Sequence, residues 1–280
     1  MKLLRWGPPG GERSGMLDAN GAIRDLSGVI DDLAGEALSP AGLDKLRGID
    51  PASLPAAPPS RIGPCVAPPT FHCVGLNYRK HAEETGSPIP AEPILFIKAA
   101  SALAGPDDAV TIPKDSVKCD WEVELGVVIG QVTEHVSEAE ALSRVAGYCV
   151  VNDVSEREWQ QERGGSWTKG KSAPGFGPVG PWLVTADEVA DPQALDLSLT
   201  LNGEVRQSSN TRDMIFGVAE IVSYMSRMMR LMPGDVIATG TPEGVGAGMK
   251  PQRFLRAGDV MELEVQGLGR QRQSCRAFGA

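Results

Sequence analysis

Three acidic side chains form the chain's most chemically suggestive pattern. In Asp120-Trp121-Glu122-Val123-Glu124-Leu125-Gly126-Val127-Val128-Ile129, the apolar Val123, Leu125 and Val127 mark one face of a strand. Glu122 and Glu124 then project from the opposite face with Cα atoms roughly 7 Å apart. A wet, charged sheet surface would explain the pair equally well. However, the strand runs on into Val127, Val128 and Ile129, as strands covered on both faces do. Buried like charges repel and are driven to protonate unless a cation sits between them. A hard divalent ion meets that need, because Mg²⁺ and Ca²⁺ prefer carboxylate, water and substrate oxygens. A third carboxylate, Asp153, ends the apolar run Tyr148-Cys149-Val150-Val151-Asn152. Alone it serves as well as the N-cap of a polar helix over 154–160; with Glu122 and Glu124 it completes an all-oxygen site with positions open for substrate or water. His81 and Glu84 lie three apart, so on a helix or turn they share a face. A solvated helix face is the plain explanation, but a carboxylate orienting an imidazole is also the ordinary construction of a general base. Gly86, Pro88 and Pro90 follow as a loop able to open and close over a site.

Other motifs lead elsewhere. Gly165-Ser166-Trp167-Thr168-Lys169-Gly170-Lys171-Ser172 has the spacing of a phosphate loop. Such a loop follows a buried strand and opens a helix; here polar residues precede it, and Pro174, Gly175, Gly177, Pro178, Gly180 and Pro181 forbid a helix after it. Nucleotide binding is rejected. Gly244-Val245-Gly246-Ala247-Gly248 lacks the third glycine of a dinucleotide fingerprint and reads as a loop. His72 in a strand and His135 in a polar turn read as structural or solvated. The five cysteines, an odd number without C-x-x-C spacing, read as reduced packing groups.

The elements that must carry these groups follow from length and patterning. The 280 residues are 41% hydrophobic and 22% charged, ordinary globular values, with no apolar run long enough to cross a bilayer. Asp and Glu outnumber Lys and Arg by 36 to 27, giving a net charge of −9 that disfavours nucleic acid and anionic membranes as partners. An acidic small molecule would need a cation or local Arg and Lys to overcome that field. The first residues carry no secretory pattern, so the expected location is the cytoplasm. Asp18-Ala19-Asn20-Gly21 predicts a hairpin, and Ser39-Pro40 to Gly48 a capped short helix with Leu43 and Leu46 inward. Five prolines between 51 and 64 predict a stiff linker, dividing the chain into a small N-terminal domain with linker (1–64) and a larger domain (65–280). Strands are expected at 71–75, 94–97, 122–129, 146–151, 181–185, 195–201, 234–238 and 259–265, with a tight turn at Asn202-Gly203 and a helix over 213–229.

Gly75-Leu76-Asn77-Tyr78, Trp121-Glu122-Val123-Glu124-Leu125, Asn152-Asp153-Val154-Ser155-Glu156-Arg157, Lys169-Gly170-Lys171-Ser172 and Thr239-Gly240-Thr241-Pro242 occur in this order. By these strings the chain resembles the fumarylacetoacetate hydrolase superfamily over roughly residues 66 to 270, and its N-terminal segment resembles the small accessory domain of bacterial sugar-acid members. The resemblance implies an α+β, mixed-β architecture: a β-roll catalytic domain with a small N-terminal α+β domain, usually dimeric. It implies Mg²⁺ or Mn²⁺ held by Glu122, Glu124 and Asp153, and a water-activating pair in His81 and Glu84. It also implies that Lys171 faces the substrate or its enolate, and that Tyr78, Arg157, Gln160 and Thr241 bind substrate. Family reactions include C–C hydrolysis of diketo acids, decarboxylation of oxo acids, hydration or isomerisation of dienoates, and a C–N lyase activity on ureidoglycolate. The substrate expected here is a small anionic 2,4-diketo acid, such as 2,4-diketo-3-deoxy-L-rhamnonate or -fuconate, cleaved to pyruvate and lactate. Pro174 departs from the acidic residue that many relatives carry two positions after the serine of the Lys-Ser pair.

Overall fold

The computed structural model describes residues 1–280. Its strands are β1 (Lys2–Trp6), β2 (Arg13–Leu17), β3 (Ile23–Asp25), β4 (Phe71–Gly75), β5 (Ile94–Lys98), β6 (Val123–Ile129), β7 (Val145–Asn152), β8 (Gly177–Thr185), β9 (Asp196–Leu201), β10 (Glu204–Asn210), β11 (Val236–Ala238), β12 (Val260–Val265) and β13 (Gly269–Arg276). The helices that matter below are α1 (Pro40–Arg47), α2 (Arg79–Thr85), α3 (Thr168–Lys171) and α4 (Val218–Ser226). A large mixed sheet runs in the order β3-β2-β1-β8-β7-β6-β11-β4-β5, antiparallel along this path except for the parallel pair β4 and β11. A second sheet, β10-β9-β12-β13 with a short strand at Val110–Thr111, packs beside it. No helix is long and apolar enough to cross a membrane.

Strand β6 lies between two cores. Trp121, Val123, Leu125, Val127 and Ile129 enter the larger cluster between the sheets, whereas Val128 joins a second cluster on the other side. That second cluster draws on residues from both sides of the 64/65 boundary. Leu3, Met16, Leu26, Leu33, Leu38, Leu43 and Leu46 pack there with Cys73, Val128, Cys149, Val151 and Val236 of the central strands, and β1 hydrogen-bonds β8. Residues 1–64 therefore share a sheet and a core with the rest, since their few apolar side chains bury little surface without it. The proline-rich stretch carries the chain across that shared body, bridging Arg24 at Ala56 and Trp6 at Ile62.

Local signals hold where the chain's own geometry decides. Asn202 (φ 53°) and Gly203 (φ 81°) make the turn between β9 and β10. Ser39 Oγ caps α1 by accepting from Gly42 N at 3.0 Å. All five cysteines are free and buried. The helix expected over 213–229 is shorter. Asn77 reaches across the fold to accept from Phe216 N at 2.8 Å and donate to its carbonyl at 3.0 Å, holding that segment out of the helix, which starts only after Gly217. The helix expected over 154–160 is replaced by a short ribbon, Ser155–Glu156 against Cys119–Asp120, and a widened π turn at Glu158–Glu162.

Arg61, in the linker, forms a fork with Asp108 (Nε to Oδ1, 2.7 Å) and donates to Glu12 at 2.9 Å. Burial pushes both carboxyls up, but Arg61, together with Arg5 at Glu12 and the Gly105 N–H at Asp108, more than reverses this and holds them below their usual range. A depressed carboxylate adds stability above its unfolded pKa and loses it as pH falls through the folded value. Arg61→Met should therefore lower Tm by about 2–4 °C at neutral pH, for roughly 1 kcal/mol in a part-exposed network. The gap should close in acid, as pH falls below the ordinary carboxylate range. Thermal unfolding at both pH values checks this, and a gap that persisted in acid would assign the effect to packing.

Candidate active site

The acidic residues meet because of strand register. Antiparallel pairing sets Val151 opposite Glu124 and Asn152 opposite Val123, and Asp153 N donates to the Glu122 carbonyl at 3.0 Å as the ladder's next rung. The ligand oxygens of Glu122, Glu124 and Asp153 consequently lie within 4.8 Å of one another, all buried. Three buried cations surround them. Lys171 Nζ donates to Glu122 Oε2 and Asp153 Oδ2, both at 2.7 Å. Arg157 pairs with Glu122 Oε1 at 2.6 Å and with Asp120 Oδ2 at 2.8 Å. Lys98 Nζ lies 2.5 Å from Asp153 Oδ1, while its hydrogen bonds go to the carbonyls of Lys171 (2.7 Å), Phe176 (2.8 Å) and Val154 (3.1 Å).

The two glutamates of one strand face are driven in opposite directions. Burial raises the pKa of Glu122, but Lys171 and Arg157 outweigh it and hold the group well below the carboxylate range. Glu124 is pushed well above that range by burial, Asp153 and Glu122, with the Gly240 N–H at 2.7 Å supporting its charge. Four carboxylates (Asp120, Glu122, Glu124, Asp153) share three cations (Lys98, Arg157, Lys171), leaving one carboxylate in excess at Glu124. Converging hard donors and this uncompensated charge fit a divalent ion of the Mg²⁺ or Mn²⁺ kind.

His81 Nδ1 and Glu84 Oε2 are 3.2 Å apart on α2. The glycine loop 244–248 holds this pair and the cation network together. Gly244 N donates to Glu84 Oε1 at 3.0 Å, and Gly246 N and Ala247 N donate to Asp120 at 2.7 and 3.0 Å. A Cβ on Gly248 would lie 2.3 Å from Glu84 Cδ. Gly248→Ala should therefore displace Glu84 and lower kcat about as far as Glu84→Ala does, with Tm changed little. An unaltered kcat would show that Glu84 is not held by this contact.

A cavity of about 130 Å³, room for about four waters, joins these groups. Of the residues singled out in the sequence, His81, Glu122, Glu124, Asp153, Arg157, Gln160, Lys171 and Thr241 line it. Glu84 stands behind His81. Tyr78 does not line it: the ring is fully buried in the core, and its hydroxyl has no partner. Thr241 Oγ1 is engaged, donating to Val123 O at 3.0 Å and accepting from Gln207 at 2.8 Å. Pro174 lies outside the lining. The phosphate-loop-like string forms the one-turn α3, which delivers Lys171. Asp120 has a sequence signal only in adjoining the Trp-Glu-Val-Glu string, and Lys98 has none, since a lysine ending a strand gives no local sign of burial.

The C-terminal fumarylacetoacetate (FAA) hydrolase family profile matches residues 70–276. A Burkholderia ambifaria protein, assigned to the hydrolases by name alone, is 60% identical over 279 residues, 99% of each chain. Among solved structures, a fumarylacetoacetate hydrolase from psychrophilic Exiguobacterium antarcticum is similar with a TM-score of 0.85 at 36% identity, covering 99% of each chain. Maleylpyruvate hydrolase from Sphingobium sp. SYK-6, solved with manganese(II) and pyruvate, is similar with a TM-score of 0.81 at 28% identity, again over 99% of each chain.

Proposed function

The chain belongs to the fumarylacetoacetate hydrolase family, and from that premise we propose that it is a divalent-metal-dependent hydrolase cleaving the C3–C4 bond of a 2,4-diketo acid. The observation carrying this reading is that one cavity is lined by both the acidic trio with Lys171 and the ring of His81, a site for an anion's electron sink beside a site for water activation. The pyruvate and manganese bound by the Sphingobium relative support it. A divalent ion at Glu122, Glu124 and Asp153 would polarise the 2-oxo acid and favour charge developing on its oxygen.

The chain's own residues do the rest. Glu84, on Nδ1, fixes the tautomer that leaves the other ring nitrogen of His81 free to take a proton from water. The water oxygen attacks C4, the C3–C4 bond breaks, and its electron pair passes to C3, which is then protonated. The products are a carboxylic acid and pyruvate. Lys171 offsets negative charge as it develops. Arg157 Nη2, buried and without a partner, is the donor left for the substrate carboxylate. The substrate proposed is 2,4-diketo-3-deoxy-L-rhamnonate or its fuconate counterpart, giving lactate as the second product, in keeping with the likeness to sugar-acid members.

Product formation should be followed with and without Mg²⁺: pyruvate from synthetic diketo acids and from oxaloacetate, 4-hydroxy-2-oxopentanoate from 2-oxo-pent-4-enoate, and glyoxylate from ureidoglycolate. Release from the diketo acids, lost on chelation, is the expected result. Turnover of oxaloacetate, the pentenoate or ureidoglycolate alone would replace the reading by decarboxylase, hydratase or lyase, and equal rates after chelation would remove the ion from the reaction.

A further inference from the structure

The charge balance of the cavity and the character of its remaining wall restrict the far end of the substrate. We infer that the site takes monoanionic 2-oxo acids, with one carboxylate at the ion and Arg157 and an uncharged tail, and discriminates against acids carrying a second carboxylate. This inference rests on the reading of the site as one for 2-oxo acids.

The first ground is a count of charges. With Glu124 ionised, as ion binding requires, the four carboxylates of the site (Asp120, Glu122, Glu124, Asp153) against its three cations carry −1, which a divalent ion turns into +1. One substrate carboxylate neutralises that charge. The His81–Glu84 pair supplies no positive charge beyond this, being anionic with a neutral imidazole and neutral with an imidazolium.

The second ground is donor supply. Lys171 is committed to Glu122 and Asp153, and Lys98 to Asp153 and three carbonyls. Arg157 is committed to Asp120, Glu122 and Gln160, with only Nη2 unpartnered. Nη2 and the third N–H of Lys171 are the buried cationic donors left over, and both sit beside the acidic trio, where they serve the carboxylate at the ion rather than the tail.

The third ground is the rest of the lining. Ile94, Phe96 and Trp167 are apolar, the two rings packing at a centroid distance of 5.4 Å, and Thr85, Ser87 and Gln161 are neutral. No further Lys, Arg or His lines the cavity. A second carboxylate against this wall would lose water and gain no countercharge, whereas a methyl or hydroxyl group finds apolar contact or a neutral hydrogen-bond partner.

Two non-cleavable five-carbon probes that differ at the tail, 2-oxopentanoate and 2-oxoglutarate, test this by calorimetry on the Mg²⁺-loaded protein. The neutral-tailed acid should bind about tenfold to a hundredfold more tightly, the penalty for a partly desolvated, unpaired charge. Equal or tighter binding of 2-oxoglutarate would overturn the inference and leave the 2-oxo acid reading standing. Binding of neither would sink that reading, and the inference with it. Gln161→Arg, which adds a cation to the wall, should narrow the difference at least about fivefold. An unchanged difference would mean that the tail does not face this wall, which would also overturn the assignment.

Discussion

Replacing His81 by alanine should lower kcat for diketo-acid hydrolysis about 10²–10⁴-fold, the range expected when a positioned general base is removed. Divalent-ion affinity should be unchanged. The two effects separate because the ring bonds to Glu84 at 3.2 Å and to none of the acidic trio. Glu84 would keep its Gly244 N–H bond, so the glycine loop retains its hold on Asp120 and, through it, on Arg157. Single-turnover rates and Mg²⁺ titration of the same preparation measure both quantities. Full activity would exclude His81 as the base, and weakened ion binding would place it among the ligands instead.

Lys171→Met should have the largest effect on stability. Burial disfavours the ammonium, yet Asp153 and Glu122 reverse this and raise its pKa above the ordinary lysine value. Its loss leaves those two carboxylates and Glu124 facing only Lys98 and Arg157. Removing one partner of a buried ion pair typically costs about 3–5 kcal/mol, so the ion-free variant should unfold at a much lower temperature. Mg²⁺ should recover more stability in the variant than it adds to the wild type, because the ion then supplies charge that the ammonium no longer does. Melting curves across a Mg²⁺ series give the comparison. An equal gain in both proteins would show that lysine and ion do not share the same carboxylates. Catalysis should remain impaired even when the ion restores the fold, since the charge opposite the substrate is gone.

What could be read locally and what could not divides along physical lines. Strand β13 carries no local signal because, of its inward positions Gln271, Gln273 and Cys275, the first two are fully buried polar residues that break apolar alternation. Their burial is tolerable only because Gln271 donates to Val150 O at 2.7 Å and Gln273 accepts from Asn152 at 2.9 Å, partners more than a hundred residues away. The helical periodicity over 213–229 outruns the helix for the same reason: Asn77 supplies hydrogen bonds to Phe216 that compete with the helix. The N-terminal segment reads as a separate unit because prolines are conspicuous in sequence, whereas a shared core is visible only as contacts.

Within the site, residues near each other in sequence determined their own relation. The two-residue period of a strand places Glu122 and Glu124 on one face, and a separation of three on a helical turn brings Glu84 to His81. The end of an apolar run offered Asp153 as a third carboxylate, and family likeness, itself a property of the sequence, named Lys171 and Arg157 as their companions. The tertiary structure alone decided how these charges balance. The β6–β7 register sets Asp153 beside Glu122, Lys98 is folded beneath Asp153, and Asp120 is clamped between Arg157 and a glycine loop. Coulomb interactions depend on distance and burial, which separation along the chain does not encode, so the excess carboxylate and the single free guanidinium donor emerge only when the sheet is assembled.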